Sequence, residues 1–190
     1  MRAVGRTLTN FALLFALTVW GGAVFFFAIL TTPVIFADLD RDSAARLLGD
    51  LFPRYYQVAL VCSAVALVVI VGRLLWGAPP RRLAVAAALL LAVALAITCY
   101  STFSLLPRMQ GAQARVPSFV TMPASAPERV AYGQLHGQSM LLTGLAALLG
   151  GAALVLIAAE PRLLVRPAER VPTPANQPAP AAARQAIARD

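Results

Sequence analysis

Four apolar runs govern what this chain can become. They cover roughly residues 11–33, 56–76, 83–106 and 135–159. Each matches the ~20 residues that a helix needs to cross a hydrocarbon core of about 30 Å. Inside lipid, every backbone N–H and C=O must be satisfied within the protein, so runs of this length cross as helices. The chain is 59% hydrophobic and 13% charged, against about 25% charged in a soluble domain. The reading is an all-α membrane protein with four transmembrane helices in an antiparallel bundle, contained in residues 1–160. A Pro/Ala/Arg tail, 161–190, is too poor in apolar surface to order.

The first run begins like a secretory signal, but its apolar stretch exceeds the 7–15 residues or so of a signal core, so it reads as a span. Gly21, Gly22 and Ala23 offer another helix a close approach. Pro33 lacks the N–H that the helix needs and predicts a kink or an end there. In the polar stretch 37–55, Asp42 or Ser43 is suited to cap a helix. Ala44, Leu47, Leu48, Leu51 and Phe52 then fall on one stripe, which predicts a short interfacial helix near 44–52. Asp38, Asp40 and Asp42 imitate the first ligands of a calcium loop. Ser43 stands at the turn glycine and Gly49 at the bidentate glutamate, so a solvated, cap-forming loop is the reading. Pro53 suits the first turn of the second span. Pro107 is expected to stop the third, leaving a long polar loop over 107–134. On the fourth, Ser139, Thr143, Ala147 and Gly151 recur every four residues as a stripe of small side chains.

All sixteen basic residues are arginine, and the net charge is +8. They stand at the ends of apolar runs, where membrane topology places them, so the expected partner is the lipid bilayer and not nucleic acid. The N-terminus, the turn after the second span and the tail together hold more arginine than the other two loops. Both termini are therefore expected in the cytoplasm. Arginine without lysine, with heavy alanine use, resembles the output of a GC-rich bacterial genome, hence an expected inner-membrane location. The two cysteines lie in apolar runs and read as small buried side chains.

The candidate site is the segment 129–143, RVAYGQLHGQSMLLT, which holds the only histidine. Polar groups entering a membrane are costly unless they find partners or act. A polar site is expected from His136, Ser139 and Thr143, with Arg54, Tyr55 and Tyr56 from the other polar loop. It reads either as a lock between helices or as a pocket for a lipid or small solute. A soft-metal alternative joins His136 and Met140, which are i, i+4, with Cys62 and Cys99, both about 10 Å deep in their spans; that set would suit Cu(I). The preferred reading needs no cofactor, and a single histidine excludes bis-His haem. No carboxylate lies within a span, and Ser139 beside His136 has no orienting acid. No enzyme activity is expected.

LFPRYY at 51–56 and LHGQSMLLTG at 135–144 resemble the signatures of the transmembrane protein 205-like family, domain of unknown function 4149. Leu51, Phe52, Pro53 and Tyr55 carry the first likeness; His136, Gly137, Ser139 and Leu141 carry the second. Thr143 stands where that pattern has Asn. The resemblance spans about 8–160 and implies a compact four-helix membrane protein, with no reaction attached.

Overall fold

The computed structural model describes residues 2–76 and 82–159. The tail expected over 161–190 and most of the turn after the second span lie outside them. The first helix is α1 (Arg2–Phe25), which continues through a π segment, Phe26–Thr31, into α2 (Thr32–Asp38). Then come α3 (Arg41–Trp76) and α4 (Arg82–Tyr100), the latter continued by a second π segment, Ser101–Leu105, into α5 (Leu106–Gln113). The last is α6 (Pro127–Ala159). No strand occurs among the described residues. Four helices are long and apolar enough to cross a membrane: Thr7–Asp38, Arg41–Leu75, Arg82–Gln113 and Pro127–Ala159.

The prolines do not act as the sequence suggests. Helix continues past Pro33, Pro53 and Pro107. At Pro33 and Pro107 the reason is the π segment just before. There the Thr32 N–H reaches back five residues to the Phe27 carbonyl, and the Leu106 N–H to that of Ser101. An i→i−5 turn re-spaces the chain at the point where proline lacks a donor and its ring crowds the preceding turn. The Thr32 hydroxyl adds a hydrogen bond to the Phe27 carbonyl at 2.9 Å. Pro53 sits inside α3, so residues 44–52 are helical but run straight into the span instead of forming a separate interfacial helix. The capping residue is Asp40, ahead of Asp42 and Ser43. Its Oδ1 accepts the N–H groups of Asp42 and Ser43, both at 3.0 Å. The Ser43 N–H is the main reason its carboxyl is held below the ordinary Asp value.

Continuity has a consequence for length. Spans of 32 to 35 residues reach about 50 Å, well beyond a hydrocarbon core of about 30 Å. The polar ends of α2, α3, α5 and α6 all gather at one end, called here the polar end. The long loop expected over 107–134 shrinks to 114–126, its flanks having become helix.

Contacts run α1 to α3, α3 to α4, α4 to α6 and α6 back to α1, closing a ring. The core is built largely from alanine: Ala16, Ala59, Ala66, Ala87, Ala94, Ala146 and Ala153 are all buried. Small side chains bring helix backbones close, which is how helices associate in lipid. Large apolar residues such as Phe11, Val68, Leu89, Leu148 and Val155 face outward, as a lipid-facing surface requires. Arg73 Nη1 donates to Asn10 Oδ1 at 2.5 Å and joins α3 to α1 at the end opposite the polar one.

On α6 the buried face is Ser139, Ala146, Gly150, Ala153 and Ile157, not the stripe ending at Gly151. A step of four residues overshoots a 3.6-residue turn by about 40°. Three steps from Ser139 have therefore rotated Gly151 about a third of a turn off the interface. Gly151 is exposed with nothing near its missing Cβ, whereas a Cβ on Gly150 would lie 2.5 Å from Trp20 Cζ3.

Candidate functional site

Helix continuity at the polar end gives the loop 114–126 something to fold onto. Asp42, in the first turn of α3, fastens it. Ser118 Oγ donates to Asp42 Oδ2 at 2.7 Å, and the Phe119 N–H donates to Asp42 Oδ1. The acidic stretch read as a solvated loop is thus partly a clasp. Gln113 at the end of α5 crosses to the same helix, where its Nε2 donates to the Ala45 carbonyl at 2.9 Å. Its amide lies 3.2 Å from where a Cβ on Gly49 would be, so the missing side chain makes the room. The Arg129 guanidinium holds the other end of the loop by donating to the Met122 carbonyl.

Under this strap lies a cavity of about 270 Å³. Phe36, Leu48, Phe52, Phe119 and Tyr132 give it apolar and aromatic walls, and Arg41, Arg129, Thr32 and His136 add polar groups. His136 stacks on Tyr132 one turn earlier, with centroids 5.9 Å apart and planes 12° from parallel. It meets Phe52 edge-on at 6.3 Å. Its Nδ1 is buried and has no hydrogen-bond partner among the described residues, a costly state for a polar atom. A wider cleft of about 740 Å³ on the other side of Phe119 is lined by Asp42, Arg46, Asp50, Gln110 and Gln113.

Below the cavity, Tyr56 gathers the hydroxyls. Its OH lies 2.8 Å from Ser139 Oγ and 3.4 Å from Thr143 Oγ1. Tyr55 packs against Tyr56 and stacks on Phe27, with centroids 5.3 and 5.5 Å apart. Tyr56, Leu106 and Met109 form a small buried core of their own that joins α3, α5 and α6. A void of about 10 Å³ touches Tyr55, Tyr56, Thr98, Ser101 and Thr143.

The structure therefore brings together Tyr55, Tyr56, Ser139 and Thr143, with His136 one turn above. Arg54 is exposed and apart from them. The soft-metal set is not assembled. Met140 is 63% exposed, because it sits one position round the helix from Ser139, on the outer face. Cys62 packs partly buried against the alanine core. Among the described residues no three His, Cys, Asp or Glu side chains converge. Sequence reasoning missed Phe27, Arg41, Asp42 as a clasp, Phe119, Arg129 and Tyr132. The signal for Tyr132 was available, since Tyr132 and His136 are i, i+4 and share a helix face.

A family model described as a domain of unknown function, DUF4149, matches residues 14–117. The match runs from within α1 through α5 into the strap and stops before α6. No curated protein and no solved structure matches the chain.

Proposed function

Because the chain belongs to the DUF4149 family, whose description carries no activity, we propose from its own geometry that it is a non-catalytic membrane protein that holds a small apolar or amphiphilic ligand at its polar end. The observation that supports this is the cavity of about 270 Å³ beneath the strap, walled by aromatics and bordered by His136, whose buried Nδ1 has no hydrogen-bond partner among the described residues. Ligand pockets combine largely apolar walls with a few converging polar groups; this cavity has that make-up and lies just under the ~300 Å³ at which their volumes start. The hydroxyl cluster around Tyr56 is the polar lock that keeps α3 and α6 in register below it. LFPRYY and LHGQSMLLTG support a place among transmembrane protein 205-like proteins.

The test is occupancy. Phe119→Trp adds a ring to the cavity wall and leaves the Asp42 clasp in place, because Phe119 meets Asp42 only through its backbone N–H. Protein purified in mild detergent is expected to retain a bound small molecule that this variant excludes.

The orientation we propose has both termini in the cytoplasm, in a bacterial inner membrane, with the polar end facing out. Arginine bias supports it. A reporter active only outside the cytoplasm, fused after Ala159, is expected to be silent. An active fusion would turn the cavity towards the cytoplasm.

A further inference from the structure

Two arginines border the cavity, and no carboxylate does. The acids nearest in sequence are engaged or exposed. Asp40 caps α3, Asp42 holds the strap, and Asp38 at the end of α2 and Glu128 in the first turn of α6 are exposed. Neither Arg41 nor Arg129 forms an ion pair among the described residues. Arg129 spends one N–H on Met122, and a guanidinium has five. The Arg41 guanidinium makes no hydrogen bond among the described residues. The wider cleft, by contrast, mixes Asp42 and Asp50 with Arg46, so it has no comparable preference for one sign of charge.

The remaining walls are hydrocarbon and aromatic, and the volume is small. Phe36 on α2, 51% exposed, continues the apolar wall out to the surface of the bundle. Spans of 32 to 35 residues exceed what the hydrocarbon core needs, which suits a polar end at the level of the bilayer interface. A two-chain lipid is too large for about 270 Å³, while part of one chain fits.

We propose that this cavity takes a single-chain anionic amphiphile from the membrane. A carboxylate or phosphate head lies between Arg41 and Arg129, and the chain runs along Phe36, Leu48 and Phe52. The proposal rests on the ligand-holding reading above and gives that ligand its chemical class. Guanidinium pairs with carboxylate or phosphate through charge-assisted, often bidentate hydrogen bonds. The aromatic walls cover the hydrocarbon, and His136 Nδ1 gains a polar neighbour in place of none.

The experiment is native mass spectrometry of the full chain in mild detergent, titrated in turn with oleate, with oleyl alcohol and with inorganic phosphate. Oleate is expected to add once per chain and saturate, with oleyl alcohol at least about ten-fold weaker, the scale of one lost charge-assisted contact. Arg41→Gln is expected to weaken oleate about ten-fold and Arg41→Lys to restore most of it. The Arg41 side chain is exposed and makes no hydrogen bond among the described residues, so both variants should fold. Oleyl alcohol binding as tightly as oleate, with Arg41→Gln unchanged, would overturn the anionic head while leaving a ligand pocket. Phosphate adding once and displacing oleate would overturn the amphiphile in favour of a free anion. Saturable binding of none of the three would overturn the ligand-holding reading itself.

Discussion

Gly150→Ala is expected to cost about 1–3 kcal/mol of stability, the range for forcing extra atoms into a packed core, and Gly151→Ala is expected to cost nothing. The two glycines are adjacent, so the contrast isolates one contact. A Cβ on Gly150 would stand 2.5 Å from Trp20 Cζ3 and 3.0 Å from Cη2, where carbon atoms prefer about 3.5–4.0 Å. Trp20 is 3% exposed and belongs to the alanine-rich core shared by α1, α3, α4 and α6. The void beside its ring is about 10 Å³, too small to take up the shift, so α1 must separate from α6 or the indole must be displaced. Gly151 meets nothing within 4 Å, and alanine is the better helix former by up to about 1 kcal/mol. Thermal unfolding in detergent, followed for the two variants side by side, checks this. Equal melting temperatures would mean that Trp20 does not pack against α6 as described.

Asp42→Ala should release the strap. The carboxylate accepts from Ser118 Oγ and from the Phe119 N–H, and hydrogen bonds to a charged group contribute roughly 1.5–3 kcal/mol each. Partial exposure weakens both, so about 2 kcal/mol of local stability is a fair expectation for the pair. The spans do not depend on it, and the global melt should move little. The strap itself should open roughly thirty-fold more often, and proteolysis of an opening segment follows that population. Arg115 lies exposed at the start of the strap and offers a trypsin site. Its cleavage rate, measured in the intact protein, should rise by that factor in Asp42→Ala and by less in Asp42→Asn, which keeps one acceptor. An unchanged rate would remove Asp42 from its role as the clasp.

What the sequence revealed follows from where the strongest forces lie. Apolar length alone marks the four spans, because lipid leaves no other way to satisfy the backbone. The same force acts on Tyr56, Ser139 and Thr143: hydroxyls entering the membrane need partners, and these meet one another. The extent of the helices was not legible. Proline reads as a stop, and nothing in Phe26–Thr31 or Ser101–Leu105 announces a π turn that lets the chain pass Pro33 and Pro107. Reading α5 and the start of α6 as loop sets aside the i, i+4 spacing that puts Tyr132 one turn from His136. The strap on Asp42 could not be foreseen either. The distribution of small residues was half legible. A four-residue repeat finds Ser139 and drifts away from Gly150, and only the position of Trp20 shows which glycine is needed. Sharing a helix face with His136 does not turn Met140 inward, and it is 63% exposed.

The account turns on whether the polar end encloses a ligand, and the most direct measurement is the mass of the intact protein as it leaves its own membrane. Native mass spectrometry of the chain and of Phe119→Trp, purified identically, is expected to show one small bound molecule on the first and none on the second, with both folded to the same melting temperature or the variant slightly higher. A parent chain that carries nothing, or a bound species equally abundant on both, would contradict the account.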